Sequence, residues 1–120
     1  MRIGELAKAS GVSSSRIRFY EEHGVLPEAA RRDNGYRDYP PATVAVLRFI
    51  DGAQALGFTL AELGAALTAS ATDVPTPGDM IGGLERKHAE LGRHIKAASA
   101  KRRRIAALIA ELRSCDSPGD

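Results

Sequence analysis

Cysteine occurs once in the 120 residues, at Cys115, so one chain can form neither an internal disulfide nor a metal site built from several of its own thiolates. No apolar run reaches the ~18 residues that a membrane span requires, which points to a soluble chain with no membrane partner. The opening segment MRIGELAKAS lacks a basic head followed by an apolar block; no secretory signal is read there, and a cytoplasmic location is the default expectation. Missing too are a nucleophile grouped with a base and an orienting residue, a phosphate-binding glycine loop and a cluster of metal ligands, so an enzyme is not expected. Neither sign of charge dominates. Seventeen Lys and Arg against fifteen Asp and Glu leave a net charge of +2, too small for bulk electrostatics to name a partner. Internal repeats and low-complexity tracts are also absent.

The placement of charge says more than its sum. Lys8, Arg16, Arg18, Arg31, Arg32 and Arg37 crowd the first third of the chain, while Glu21, Glu22 and Glu28 follow the first arginines. Apolar residues at 3, 6 and 7 predict a helix over 3–9, Gly11 and Val12 a turn, and Ser13 an N-cap for a second helix to about His23. Gly24 suits the position after a helix, and Val25-Leu26-Pro27 ends the element. Asn34-Gly35 is a strong type I′ hairpin signal, with 30–32 and 36–39 as its short strands. A helix-turn-helix followed by an Arg-rich hairpin reads as a winged DNA-binding module: a helix for the groove, and a loop that grips phosphates beside it.

A third helix opens near Pro41 and turns Val44, Leu47, Phe49, Ile50, Ala53 and Leu56 toward the core before Gly57. Thr59 to Glu62 is a capping box for a fourth helix ending near Leu67. TASATDVPTPGD, residues 68–79, is small, polar and twice interrupted by proline. The expected organisation is a winged domain over 1–70, a linker over 71–79, a dimerisation helix over 80–113 and a short tail over 114–120.

In that last helix Ile81, Leu84, His88, Leu91, Ile95, Ala98, Arg102, Ile105, Ile109 and Leu112 alternate steps of three and four, a heptad seam about 50 Å long at ~1.5 Å per residue. Its leucines and isoleucines are each worth roughly 1.5 to 3 kcal/mol when buried, so the seam calls for a second copy. An antiparallel pairing centred between Lys96 and Ala97 sets 81 against 112, 84 against 109, 88 against 105, 91 against 102 and 95 against 98. Arg102 then packs its stem on the partner copy while its guanidinium finds a carboxylate at the edge. The run Lys101-Arg102-Arg103-Arg104 occupies successive helical positions and is read as a solvated face rather than a binding patch. Gly82, Gly83 and Gly92 each cost about 1 kcal/mol relative to alanine in a helix; close backbone approach is expected at Gly92, and the Gly-Gly pair has no explanation in the sequence.

IGELAKASGVSSSRIRFYEEHGVL, NGYRDY and LRFIDGAQALGFTLAEL, in that order and followed by a coiled-coil helix, resemble the MerR family of bacterial transcription regulators over nearly the whole chain. The resemblance implies a mostly α fold, a winged helix-turn-helix domain followed by a long antiparallel coiled-coil dimerisation helix. It implies a homodimer on a pseudo-palindromic site in double-stranded promoter DNA, acting with RNA polymerase. Such activators work on overlong promoter spacers, where each surplus base pair rotates the two polymerase elements by about 34° at ~10.5 pairs per turn. Bending and untwisting the centre restores their register.

From position and resemblance together, Ser13, Ser14, Ser15, Arg16, Arg18 and Tyr20 are expected to face DNA from the second helix, and Arg31, Asn34, Gly35, Tyr36, Arg37 and Tyr39 from the wing. Ser13 is equally an N-cap, Tyr39 equally a residue packed beneath the wing, and Ile17 and Phe19 are read as core. Metal-responsive members of the family take thiolates from a loop after the dimer helix and from the start of the partner helix; those positions hold Leu112 and Pro77 here, so no metal ligand and no cofactor are assigned. Cys115 is left as a single-thiol sensor candidate or an ordinary tail cysteine. His88 and His94, six apart, lie roughly 120° from a common face and make poor joint ligands. The expected function is promoter regulation in response to a metal, redox or electrophile signal, with an effector-independent repressor or DNA-architectural protein as the alternative.

Overall fold

A computed structural model of the chain describes residues 1–31, 35–69 and 74–116, with the side chains of residues 30 and 31 outside that description. Five helices and one hairpin follow in order: α1 (Ile3–Ser10), α2 (Ser14–Glu22), β1 (Ala30–Arg31), β2 (Arg37–Asp38), α3 (Thr43–Ala55), α4 (Leu60–Leu67) and α5 (Pro77–Cys115). The chain divides into two compact units, Met1–Glu85 and Arg86–Asp120.

Each short helix begins and ends where local chemistry requires. In α1 the Glu5 carboxylate accepts the Arg2 backbone N–H at 3.2 Å, and Gly11, at φ +77°, returns its N–H to Ala7 O at 2.9 Å. Ser13 caps α2 by accepting the Arg16 N–H at 3.2 Å. Gly24 follows at φ +69°, a conformation that needs no Cβ, and lets Val25 and Leu26 donate back to Tyr20 O at 2.9 and 3.1 Å. That return buries Val25 and Leu26 in the core formed by Leu6, Ile17, Tyr20, Tyr39, Val46, Leu47, Ile50 and Leu63. No buried side-chain nitrogen or oxygen among the described residues lacks a hydrogen-bond partner.

The hairpin is antiparallel, with Ala30 opposite Asp38 and Arg31 opposite Arg37, and is shorter than the strands read from the sequence. Asn34 of the expected turn lies outside the described residues, whereas Gly35 has the positive φ, +83°, that the turn chemistry anticipates. The strand after the turn gains a neighbour at the chain's first residue. Tyr39 donates its N–H to Met1 O at 2.7 Å, and the Met1 amine reaches Tyr39 O at 2.8 Å and Asp38 Oδ1 at 3.0 Å.

In α3 the buried face is Thr43, Val46, Leu47, Ile50 and Ala53, and the sequence expectation for Leu56 fails: that side chain is 67% exposed. The helix ends at Ala55, Gly57 reverses the chain at φ +92°, and Phe58 takes the buried position instead, its N–H on Ala53 O at 3.1 Å. Its ring meets Phe49 edge-on at 6.3 Å. The capping box of α4 forms as expected, with Thr59 and Glu62 exchanging hydrogen bonds at 3.0 and 3.1 Å.

The long helix starts earlier than its composition suggested. Thr76 and Asp79 form a second reciprocal box, at 2.8 and 3.2 Å, and Pro77 takes the first helical position, where its missing N–H costs nothing. The stretch read as linker through 79 therefore already contains the helix start. Gly83 is buried because an added Cβ would lie 2.7 Å from the Ala66 Cβ on α4, and Met80 packs against the core. The first compact unit accordingly extends to Glu85 rather than stopping at residue 70, because these early turns of α5 are packed on α4. Around Gly92 nothing lies within 4 Å of the added Cβ, so within one chain the expected close approach is absent there.

Candidate nucleic-acid interface

Helix α2 is too short to bury more than one strip. Ile17, Tyr20 and Glu21 face inward, and the positions between them are left to solvent. Ser13 is exposed and engaged as the cap, Ser14 is partly buried, and Ser15 is exposed in the first turn, where unpaired N–H groups favour anions. Arg18 is exposed and has neither a hydrogen bond nor an ion pair among the described residues. Phe19, expected in the core, is half exposed: two positions from Ile17 it stands about 200° around the helix, and it stacks on His23 at 4.0 Å instead.

Tyr20 departs from its expected role. The side chain is buried, and its hydroxyl accepts from Arg16 Nη2 at 2.6 Å while donating to Gln54 Oε1 at 2.7 Å. A hydroxyl with both partners inside the fold is not offered to a phosphate; Tyr20 pins α2 to α3. Arg16 belongs to the same cluster, bonding Gln54 at 3.3 Å and pairing with Asp51 at 3.3 Å, with about half of its side chain still in solvent. Its charge is therefore aimed and partly neutralised before any DNA arrives.

A residue absent from the sequence-derived site organises the wing. Glu21 keeps only 3% of its side chain exposed and receives three donors: Tyr39 Oη, Arg37 Nη1 at 3.1 Å and, at 3.4 Å, the Ala29 N–H. Two of these come from β2 and the residue after it and one from the segment before β1, so a single carboxylate on α2 holds the hairpin at both ends. The sequence analysis read Glu21 only as an acid following the arginines. Nothing local marks a glutamate as buried, although its spacing from Ile17 and Tyr20 puts it on their face. Burial and the hydrogen bond to Glu21 push the Tyr39 hydroxyl up to about 12, and the Tyr39 oxygen together with the Glu21 charge holds the Arg37 guanidinium above its ordinary value. Of the alternatives left open for Tyr39, packing beneath the wing is the one observed.

The remaining residues meet at an open cleft of about 720 Å³. Arg2, Glu5 and Lys8 come from the α1 segment, Arg18 from α2, and Gly35, Tyr36 and Arg37 from the wing. Tyr36 is 54% exposed, and the Arg2 guanidinium lies 4.4 Å from its ring centroid. Four cations face one carboxylate there, which gives the cleft the sign a phosphate backbone requires. Arg2 and Lys8 were not among the expected contacts; Lys8 was visible only as part of the N-terminal basic crowd. Arg31 contributes its backbone to β1, its side chain is not described, and Asn34 again falls outside the described residues.

On α5 the apolar members of the heptad seam are solvent-exposed in the single chain, from Ile81 and Leu84 through Leu91, Ile95, Ile105 and Ile109 to Leu112 at 68%. His88, Ala98 and Arg102, the polar and small members, are exposed as well. Leu108, missed by the strict heptad, is exposed too, one turn from Ile105 and Leu112, and widens the stripe. Among the described residues no three His, Cys, Asp or Glu side chains gather into a metal-binding group, and Cys115 is exposed at the last residue of the helix.

Residues 1–70 match the family described as MerR HTH family regulatory protein, and residues 44–115 the family described as MerR, DNA binding. The chain belongs to the MerR family. It is a DNA-binding transcription regulator, not an enzyme. Among similar proteins, the HTH-type transcriptional regulator CueR of Yersinia pestis is 34% identical over 120 residues, covering 100% of this chain and 83% of that protein. The mercuric resistance operon regulatory protein of Bacillus cereus is 52% identical over 62 residues, which are 52% of this chain and 47% of that one. Among solved structures, the transcription regulator PbrR691 of Ralstonia metallidurans in complex with lead(II) is 31% identical, with a TM-score of 0.56 over 100% of this chain and 91% of that one. The two family matches together span the N-terminal helices, the hairpin and α5. No helix among the described residues is long and apolar enough to cross a membrane.

Proposed function

We propose that this MerR-family chain regulates a promoter as a homodimer, reading a pseudo-palindromic site with two winged domains and distorting an overlong spacer for RNA polymerase. The observation that carries the reading is the cleft in which Arg18 of the groove helix and Tyr36 and Arg37 of the wing stand beside Arg2 and Lys8. Arg18, with no hydrogen bond or ion pair among the described residues, is suited to a guanine edge or a phosphate, and Arg37 and Tyr36 reach the backbone from a wing held by Glu21. Ser15, and the Ser13 hydroxyl's remaining donor, add first-turn contacts. Gly35 lets the wing backbone approach closely.

The dimer follows from the exposed stripe of α5, whose leucines and isoleucines favour a second copy by roughly 1.5 to 3 kcal/mol each on burial. In the antiparallel register Ile95 meets Ala98, Leu91 meets Arg102, and Leu84 meets Ile109. A cysteine pair introduced as Ile95→Cys on one copy and Ala98→Cys on the other should cross-link readily; efficient 95 to 95 cross-linking would instead favour a parallel dimer. Spacer distortion of order 1 to 6 kcal/mol is offset by the phosphate contacts that bending permits.

Soft metals take thiolate ligands, and these 120 residues supply one. They do not by themselves fit a site of that kind, and no step is assigned to a metal. Cys115, exposed at the end of α5, is the candidate thiol for a redox or electrophile signal, and the same shortage of ligands favours an effector-independent repressor or architectural protein as the second reading. Transcription from an overlong-spacer promoter with purified protein separates them. Activation by an oxidant or electrophile that vanishes in Cys115→Ser supports the sensor, whereas repression indifferent to metals, oxidants and electrophiles supports the second reading.

A further inference from the structure

Between Glu90 and Glu111 the sequence of α5 contains no carboxylate, yet it carries Arg93, Lys96, Lys101, Arg102, Arg103 and Arg104. All six are exposed, and none has a hydrogen bond or ion pair among the described residues. Glu90, the acid nearest to them on one side, is already taken by Lys87 at 3.8 Å and His94 at 4.0 Å. At ~100° per residue, Arg93, Lys96, Arg103 and Arg104 fall within an arc about 100° wide, centred opposite the apolar seam. Arg102 lies in the seam and Lys101 at its flank. Along the axis the four cover about 16 Å at ~1.5 Å per residue, with Ala100 in the arc between them, and Ala107 and then Glu111 next along it.

We propose that this outer face of α5 is a second, sequence-independent contact surface for duplex DNA, separate from the groove-reading cleft. Four like charges on one exposed face repel one another, and a polyanion relieves that repulsion while releasing its own counterions. A duplex presents about one phosphate per 1.7 Å of its axis, so a strip of this length meets more phosphates than it has cations. Ala100 between them carries no bulk that would keep a phosphodiester chain away. A protein partner is less well matched: the arc has no aromatic or large apolar side chain to serve as an anchor, and interfaces between proteins depend on such anchors. Because the strip is opposite the seam, closing the seam in a dimer leaves it open, and a regulator on its promoter can hold a second stretch of duplex.

The test uses the full chain and a labelled mixed-sequence duplex of about 30 base pairs, with binding followed by anisotropy between about 50 and 200 mM NaCl. Two variants are compared with the native chain: Arg93→Ala/Lys96→Ala/Arg103→Ala/Arg104→Ala, and a groove-face variant, Arg2→Ala/Lys8→Ala/Arg18→Ala. With ~0.9 counterions released per phosphate, four contacts contribute a slope of roughly 3 to 4 in log affinity against log salt, about a 100-fold change over that range. The groove-face variant should keep this component and the four-alanine variant should lose it, with glutamine at the same four positions giving the same loss. Alanine is the best helix former, so far-UV circular dichroism and sedimentation should match those of the native chain. Unchanged salt slopes in both strip variants would return the face to ordinary solvation and overturn the proposal. Tighter binding of poly-glutamate than of the duplex at equal salt would overturn it in favour of an acidic protein segment. Loss of binding in the groove-face variant alone would count against the strip while leaving the promoter-reading site intact.

Discussion

Replacing Glu21 with alanine tests the idea that one buried carboxylate holds the wing against the groove helix. In the native fold it accepts from Tyr39 Oη and Arg37 Nη1, and marginally from the Ala29 N–H at 3.4 Å. Truncation leaves the buried Tyr39 hydroxyl proton without an acceptor, since its other neighbour, Arg37, can only donate; an unsatisfied buried polar group costs about 1–3 kcal/mol. The Arg37 side chain is 32% exposed and can turn to water, so the lost ion pair is discounted to about 1 kcal/mol. The Ala29 bond is at the long limit and adds little. Glu21→Ala should therefore destabilise the fold by roughly 2 to 4 kcal/mol, a large part of the ~5–15 kcal/mol that holds a domain together. Glu21→Gln keeps an oxygen for Tyr39 and loses the charge, for about half that cost. Urea unfolding followed by far-UV circular dichroism measures both, at one protomer concentration because the proposed dimerisation would link stability to concentration. A cycle with Tyr39→Phe should give a coupling of at least ~1 kcal/mol. A loss below ~0.5 kcal/mol for Glu21→Ala, or strict additivity with Tyr39→Phe, would refute the reasoning.

The two arginines of the cleft should separate in their behaviour. Arg18→Ala weakens DNA binding and lowers the salt slope by about 0.9 while leaving stability within ~0.5 kcal/mol, because the side chain is exposed and has no partner among the described residues; Arg37→Ala weakens binding and also destabilises, because it removes the cation beside the buried Glu21 carboxylate. Equal unfolding midpoints for the two would contradict this. Gly83→Ala forces a Cβ to within 2.7 Å of the Ala66 Cβ and should cost about 1–3 kcal/mol through overpacking despite its better helix propensity, whereas Gly92→Ala meets nothing and should stabilise by about 1 kcal/mol in thermal unfolding. A loss at Gly92 would mean that a partner chain approaches there. With Tyr39 pushed up to about 12 by burial, the unfolded chain releases its phenolic proton first, near pH 10. The stabilisation is whole below pH 10 and disappears as pH climbs to 12, so the alkaline loss measured in that window should be smaller in Tyr39→Phe than in the native chain.

Much of this protein is written locally. Serine before an arginine-rich helix, glycine after it, Asn-Gly in the hairpin and Thr-x-x-Glu before α4 each act through bonds to backbone groups a few residues away, so the order of elements and most helix ends were readable from neighbours alone. The heptad seam was legible for the same reason, since helical periodicity depends on spacing and nothing else. The Thr76 and Asp79 box was overlooked because proline and glycine between its members look like a linker.

What escaped were decisions that depend on which distant surface a face meets. Tyr20 and Tyr39 carry the same side chain as Tyr36, yet two are buried and bonded inside the fold while the third lies open to solvent, a difference set by α3 and by Glu21 rather than by their flanking residues. Leu56 yields the core to Phe58 because Gly57 reverses the chain between them, and Gly83 exists to let α4 come close. Short-range hydrogen bonding and periodicity determine where helices are; desolvation, which is settled only when remote segments pack, decides which polar side chains remain available to DNA.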